Sequence, residues 1–292
     1  MGKPGRSHAA GNRKPPLCPA IFYCRVPQRA MERNLPILTM IQLSAVVITF
    51  NEERNIRRCI ASLLPVADEV VVVDSFSRDN TEAIAREMGA RFIQHPFAGH
   101  IEQKNWALKQ LSYPYALSLD ADEALSPELQ KAILALKENP QADGYYLQRL
   151  TNYCGHWIRH GNWYPDHKLR LWKHEMGSWG GQNPHDEYRL PPTARTEVLP
   201  GHLLHYSFYQ FSEHLAQIKR FTDISSRAAY QKGKRSNYLK LFTRPAWKFI
   251  KGYLLKSGFR DGRAGWQIAR WSAFATYWKY RKLLELQKGH DK

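Results

Sequence analysis

Apolar positions along this chain change period at regular intervals. Leu43 to Phe50 is a continuous apolar run rich in β-branched residues, as in a strand buried on both faces. Asn55 to Leu64 places Ile56, Cys59, Ile60, Leu63 and Leu64 at helical spacing, and Pro65 stops the run. Glu69 to Val73 reads as a second buried strand closing on Asp74. Asp79 or Asn80 then caps a helix through Met88, with Gly89 in the stop position. Arg91 to His95 is a third strand, Gly99 to Leu111 a helix, and Tyr115 to Leu119 a fourth strand ending on Asp120-Ala121-Asp122. Ser126-Pro127-Glu128 opens a further helix, with Ser as cap and Pro in the first turn. Strand and helix alternating at this spacing predict an α/β fold, a mainly parallel sheet flanked by helices. Ligands bind such sheets at the carboxyl ends of strands. Thr49 to Glu52, Asp74 and Asp120 to Asp122 all fall there.

Downstream, Lys168-Leu169-Arg170-Leu171-Trp172 alternates basic and apolar residues as a half-buried strand does, and Gly180-Gly181 opens a Gly-rich loop presenting Asp186 and Glu187. The first 40 residues are proline-dense and basic, with one acid, Glu32, and are expected to be a disordered tail; Met1, Met31 and Met40 are all open as the start of translation. No apolar run reaches the about 20 residues of a membrane span. The expected organisation is therefore a tail over 1–40, a catalytic domain over 41–210 and a helical, membrane-proximal extension over 211–292.

Charge sharpens the picture. The chain of 292 residues carries 43 Lys and Arg against 26 Asp and Glu, a net +17, which favours anionic partners: nucleic acid, phosphorylated small molecules or an acidic membrane. Cys18, Cys24, Cys59 and Cys154 show no metal or redox spacing, so they read as free thiols of a reducing compartment. A helix-turn-helix, zinc or RNA-recognition signature is absent, and a nucleic-acid module would leave Asp74, Asp120 and Asp122 without a role. No Gly-x-Gly-x-x-Gly follows Phe50, which disfavours a dinucleotide-binding oxidoreductase, and Asn51-Glu52-Glu53 stands where a nucleotidyltransferase carries a Gly-rich phosphate loop, which disfavours that class as well.

Two carboxylates one residue apart on a turn, Asp120 and Asp122, suit a hard divalent cation that in turn binds a diphosphate. Asp74 can accept hydrogen bonds from a base or ribose, whereas Asp79 reads as helix capping. Lys104 is either a solvated helix residue or a nucleotide contact. Arg170 can steady a phosphate through its planar fork.

Taken together, Val47-Ile48-Thr49-Phe50-Asn51-Glu52-Glu53, Val73-Asp74-Ser75-Phe76-Ser77-Arg78-Asp79-Asn80-Thr81 and Asp120-Ala121-Asp122-Glu123 resemble the inverting family-two glycosyltransferases of the GT-A fold. The resemblance implies nucleoside contacts from Thr49, Asn51, Glu52 and Asp74, a basic contact from Lys104, ribose binding by Asp120 and metal binding by Asp122. It implies Mg²⁺ or Mn²⁺ as cofactor and a carboxylate base at Asp186, with Glu187 as the alternative. His205 takes a place where some such enzymes put a further metal or diphosphate ligand. Two further stretches, Asn183-Pro184-His185-Asp186 and Lys256-Ser257-Gly258-Phe259-Arg260-Asp261-Gly262-Arg263-Ala264-Gly265, resemble the lipopolysaccharide core glucosyltransferases. They imply transfer of glucose from UDP-glucose to an inner-core heptose of a lipid-linked phosphorylated glycan. A polyprenyl phosphate or another envelope glycan is the alternative acceptor.

The last third bears on location. Lys240 to Lys292 holds thirteen Lys or Arg, three acids and eleven aromatic residues. In the final helix Trp266, Ala269, Ala273, Tyr277, Tyr280 and Leu284 form one stripe, which either packs on the catalytic domain or meets an anionic bilayer. The expected place is the cytoplasmic face of the inner membrane, held peripherally, with a UDP-sugar and no nucleic acid as partner.

Overall fold

Strand ends line up at one edge of a mixed sheet, and that alignment is what assembles the site. The computed structural model describes Gly2 and residues 40–182 and 185–290. The tail over 1–40, Cys18, Cys24 and Met31 fall outside the described residues apart from Gly2 and Met40.

The first half is built as the apolar pattern predicts: β1 (Leu43–Thr49), α1 (Ile56–Leu63), β2 (Glu69–Asp74), α2 (Thr81–Glu87), β3 (Arg91–Gln94), α3 (His100–Leu108) and β4 (Tyr115–Asp120). Then follow a short β5 (Glu123–Leu125) and α4 (Pro127–Glu138), whose Ser126 Oγ accepts from Leu129 N at 3.2 Å. The order β3-β2-β1-β4 is parallel throughout. Register puts Thr49 beside Asp74 and Ile48 beside Asp120, so the polar residues closing three strands stand side by side.

Alternation along β1 feeds two cores. Leu43, Ala45 and Val47 pack with Ile56, Ile60, Leu63, Leu129 and Ile133 on one face. Val46 packs with Val71, Ala107, Leu108 and Trp172 on the other. Each fully buried Leu or Ile contributes roughly 1.5–3 kcal/mol, which is why this strand has no polar face.

Beyond β4 the sheet becomes mixed. β6 (Gly144–Tyr153), β7 (His156–Ile158), β8 (His167–Lys173) and β11 (Thr196–Phe208) extend it in the order β4-β8-β6-β11-β5, with β7 on β6. The expected half-buried strand around Arg170 is β8, which pairs antiparallel with β4 and β6 on either side of it, and the next pairing, β6 with β11, is parallel. The segment expected as a Gly-rich loop is instead a hairpin, β9 (Ser178–Gln182) against β10 (His185–Arg189). Trp179 and Tyr188 pair across it, Tyr188 stacking on Trp172 and Trp179 meeting it edge-on, contacts that outweigh the low strand propensity of Gly180-Gly181. Three helices complete the chain: α5 (Phe211–Gln231), α6 (Tyr238–Ile250) and α7 (Gly262–His290). Among the described residues no helix is long and apolar enough to cross a membrane, and Cys59 and Cys154 are free thiols.

Candidate active site

The two loops at the edge of β1 and β2 bind each other before they bind anything else. Asn51 N donates to Ser77 Oγ at 2.7 Å and Arg78 N to Asn51 Oδ1 at 2.8 Å. Glu52 N reaches Thr81 Oγ1 at 2.8 Å and Glu53 N reaches Asp79 Oδ2 at 3.0 Å. Asp79 also takes Thr81 N at 3.0 Å, the capping role expected of it, while the Asn80 amide donates to Glu53 at 2.9 Å. Asp74 is wholly buried and accepts from the Ser77 backbone N at 2.8 Å and from the Ser77 hydroxyl. Its carboxylate therefore fixes the loop that borders the ligand edge. Thr49 Oγ1 is buried without a hydrogen-bond partner among the described residues. Asn51 takes a left-handed backbone, φ 54°, which Asn tolerates better than most residues.

A chain of buried charges runs across the ends of β4 and β8. Arg170 Nη2 sits 2.6 Å from Asp120 Oδ2 and 2.8 Å from Glu123 Oε1. Lys104 Nζ lies 2.9 Å from Asp120 Oδ1, 2.8 Å from Asp186 Oδ2 and 4.3 Å from the centre of the Trp179 ring. Lys104 is thus no solvated helix residue: α3 carries it under the β9–β10 hairpin, where it is buried. Burial works to raise the Asp120 carboxyl, but the Arg170 and Lys104 charges outweigh it and hold the group well below the usual carboxylate range. The same pairing pushes the Arg170 guanidinium up against the opposing effect of its burial.

Glu123 is the residue the sequence left without a role. It is fully buried, accepts from Asp120 N at 3.0 Å and faces Arg149 at 3.7 Å as well as Arg170. Arg149 is held by Asp166 at 2.7 Å, and Asp166 also meets Lys168 at 3.1 Å. A cavity of about 520 Å³ opens among these groups, lined by Lys104, Asp120, Arg149, Lys168, Arg170 and Asp186 with others. Glu187 lies at its rim, exposed and paired with Arg189 at 2.6 Å. Asp186, by contrast, is mostly buried beside Lys104.

Asp122 looks elsewhere. Antiparallel pairing of β11 with β5 sets His205 against Glu123, and Tyr206 N donates to Asp122 O at 2.9 Å. That register leaves His205 Nε2 3.2 Å from Asp122 Oδ2. The pair adjoins a second cavity of about 470 Å³, lined by Asn51, Glu52, Arg54, Asp122, Tyr209, Arg220 and others. Arg54 lies 3.3 Å over the Tyr209 ring and Arg58 3.3 Å over that of Tyr206. Burial raises the Glu52 carboxyl; the Asn55 hydrogen bond opposes this and nearby Asp122 adds to it.

Could this edge hold a divalent cation? Among the described residues no group of three His, Cys, Asp or Glu converges as a complete cage. Both Asp120 oxygens are occupied by cations, so Asp122 and His205 are the pair with metal-binding capacity. Two protein ligands suit Mg²⁺ or Mn²⁺ when diphosphate oxygens and water fill the remaining positions. The residues fit a substrate-completed site rather than a structural one.

Comparison with known proteins identifies the family. A model described as Glycosyl transferase family 2 matches residues 44–199. An uncharacterised glycosyltransferase of Rickettsia typhi is 29% identical over 258 residues, covering 85% of this chain and 88% of its own. The lipopolysaccharide core biosynthesis glycosyltransferase LpsC of Rhizobium meliloti is 27% identical over 255 residues, covering 85% of this chain and 94% of its own. Among solved structures, S. aureus TarS 1-349 in complex with UDP-GlcNAc aligns over 86% of this chain and 92% of its own, at 15% identity and a TM-score of 0.44.

Proposed function

From the premise that the chain belongs to glycosyl transferase family 2, we propose that it moves one sugar with inversion from a UDP-linked donor to a lipid-linked phosphorylated glycan. Glucose as the sugar and an inner-core heptose as the acceptor follow the sequence resemblance alone; the likeness to LpsC, a lipopolysaccharide core biosynthesis glycosyltransferase, supports a core glycan as acceptor. The place of reaction is the cytoplasmic face of the membrane that carries the acceptor.

One observation carries the reading: a single turn, Asp120 to Asp122, divides two cavities of opposite equipment. On the Asp122 side, Thr49, Asn51, Glu52 and the edge fixed by Asp74 would take the nucleoside, and Arg54 and Arg220 would face the diphosphate. A divalent cation held by Asp122 and His205 would supply neutralisation of the charge that develops on the leaving diphosphate. On the Asp120 side, Lys104 occupies Asp186 Oδ2 at 2.8 Å, which leaves Oδ1 for an acceptor hydroxyl. Asp186 would take that hydroxyl proton as the oxygen attacks the anomeric carbon. The new C–O bond then forms as the anomeric bond to the β-phosphate oxygen breaks, and UDP departs with the electron pair. Glu187, tied to Arg189 at the rim, is poorly placed for this step.

The test is UDP release from a panel of UDP-sugars with Mg²⁺ or Mn²⁺, with and without deep-core lipopolysaccharide, using Asp122→Ala as control. Acceptor-dependent release from UDP-glucose alone, lost in the variant, is the expected result. Release from another donor would keep the mechanism and discard glucose. No acceptor-dependent release from any donor would overturn the reading.

A further inference from the structure

Exposed large apolar side chains are concentrated in one place. Among the described residues, nine of the eighteen such side chains lie between Tyr238 and Trp266, a concentration in one segment rather than the usual scatter. Leu239 is 71% exposed, Phe242 65% and Leu255 64%.

Helical geometry explains the patch. At 100° per residue, Leu239, Phe242, Ala246 and Ile250 share one stripe of α6, and all four are exposed. Leu241 and Gly252, on the opposite side, are the buried positions that seat the helix on the protein. Lys240, Arg244 and Lys248 recur every four residues; the first two fall between the faces and Lys248 falls on the seated side, next to Leu241. From Tyr238 to Arg260 the chain has six Lys or Arg and no Asp or Glu. Asp261, the first acid after this stretch, is turned inward to His160 at 2.8 Å. Burial, with Lys251 and Lys256 crowding alongside, lowers the Lys248 ammonium from its usual value. These cations therefore have no acid among themselves to answer them.

Of the two roles open to the aromatic stripe of the final helix, packing accounts for part. Trp266 lies edge-on to Phe249 and Tyr253, Tyr277 sits against Phe242, and Ala269 is buried, so part of that stripe is packed within the chain.

We infer that α6 and the turns after it, Tyr238 to Phe259, form an in-plane docking face for an anionic lipid bilayer. Leu239, Phe242, Ile250, Leu254, Leu255 and Phe259 enter the acyl boundary, and the Lys and Arg row meets headgroup phosphates. The face is rigidly joined to the acceptor side of the site. A π-helical turn, Lys251–Leu255, and a 3-10 turn, Gly258–Asp261, follow α6. Gly161 N donates to Lys256 O at 2.9 Å, and the Asp261 carboxylate takes His160 N at 2.8 Å. A Cβ on Gly252 would fall 2.3 Å from Asn162 Nδ2, and one on Gly265 1.9 Å from Gly258 O, so the Gly252 backbone lies against the Asn162 side chain and the start of α7 against the Gly258 backbone. Segment 159–163 leads directly into β8, whose His167, Lys168 and Arg170 line the cavity beside Asp186. A bilayer on α6 thus places a lipid-linked acceptor next to the Asp186 cavity. The link to the acceptor rests on the transferase reading; lipid binding itself does not.

The experiment is flotation of the full chain with phosphatidylethanolamine–phosphatidylglycerol vesicles and with phosphatidylcholine vesicles, neither containing any sugar. The wild type should bind the anionic vesicles, less so at high salt, with blue-shifted Trp247 emission. Leu239→Ser/Phe242→Ser/Ile250→Ser should weaken binding at least about tenfold. Arg244→Glu/Lys248→Glu/Lys251→Glu should abolish the preference for anionic lipid, whereas Val198→Ser should bind as wild type. No vesicle binding by wild type, or triple-Ser binding within about twofold of it, overturns the inference. A triple-Ser variant that turns an oligomer into a monomer with unchanged vesicle binding would assign the face to a second copy instead, and also overturns it. On delipidated acceptor the triple-Ser variant should turn over as wild type. Absence of turnover in both would count against the transferase reading alone.

Discussion

Removing the Arg170 guanidinium should cost more than any other single change at the site. Arg170→Met keeps the stem of the side chain but strands two carboxylates at once. Asp120 retains Lys104 at 2.9 Å, so its loss is partial. Glu123 is fully buried and retains only the Asp120 N–H at 3.0 Å and Arg149 at 3.7 Å. Breaking a buried pair by deleting one partner costs about 3–5 kcal/mol, and the remaining contacts place this case near 3. For a domain of this size that is a fall in Tm of roughly 6–12 °C, measured by thermal and urea denaturation. If the cost is the stranded Glu123 charge, Arg170→Met/Glu123→Gln should recover about half of it, because the neutral amide is cheaper to bury. Acid titration adds a second check. The native Asp120 carboxyl protonates at lower pH than in the unfolded chain, so its stabilisation is full above about pH 4 and is lost as pH falls through the native value. Arg170→Met should shrink that acid-side loss. An Arg170→Met protein within about 1 kcal/mol of wild type, or a double variant no more stable than the single one, would refute the reasoning.

Asp186→Asn should lower kcat by about 10²–10⁴-fold with nucleotide affinity nearly unchanged, while Glu187→Gln stays within about threefold, as steady-state kinetics will show. His205→Ala should weaken Mn²⁺ binding in the presence of UDP by roughly 10-fold, read from the Mn²⁺ paramagnetic resonance signal, without changing UDP affinity in chelator. His214 is buried, bonds Tyr153 Oη at 2.9 Å, and burial lowers its imidazole to about 4. Between about pH 6.5 and that value the unfolded chain binds a proton the native imidazole refuses. Stability is therefore full above about pH 6.5 and falls by up to about 3 kcal/mol as pH drops to 4; urea titrations should show this slope flattened in His214→Gln.

The parallel half of the fold is legible because its signals are local. Buried strands announce themselves as unbroken apolar runs, and the polar residue ending each run, Thr49, Asp74 or Asp120, falls at the edge where the strand ends line up. What the chain does not announce is pairing between distant segments. Arg170 reads as a phosphate contact from its own strand, and only the insertion of β8 beside β4 shows it neutralising Asp120 and Glu123. Lys104 lies on a helix of weak amphipathic character, so nothing local tells burial from exposure; the β9–β10 hairpin that covers it is itself disguised by Gly180-Gly181. The C-terminal helices pose the deeper difficulty. A stripe at helical spacing looks the same in sequence whether it faces a protein core or a lipid surface. α7 holds part of its stripe inward and α6 holds its own outward, and the order of the residues does not distinguish them.

The Asp120–Asp122 turn acquires its meaning from this asymmetry. The first carboxylate is clamped from both sides by Arg170 and Lys104, and through Lys104 it is linked to Asp186. The second is met by an imidazole, at 3.2 Å, which is neutral in its metal-binding form. A carboxylate saturated by two cations has little capacity left for a third, whereas one that lines an open cavity beside a metal-ligating side chain keeps more of its capacity available. The two residues of one motif are thereby driven to different tasks by their neighbours. Asp120 ties the acceptor-side carboxylate to the end of β4, and Asp122 offers negative charge where a metal–diphosphate would lie. Bond making and bond breaking at the anomeric carbon would then occur across a single turn, its two ends fixed by separate strands of the same sheet.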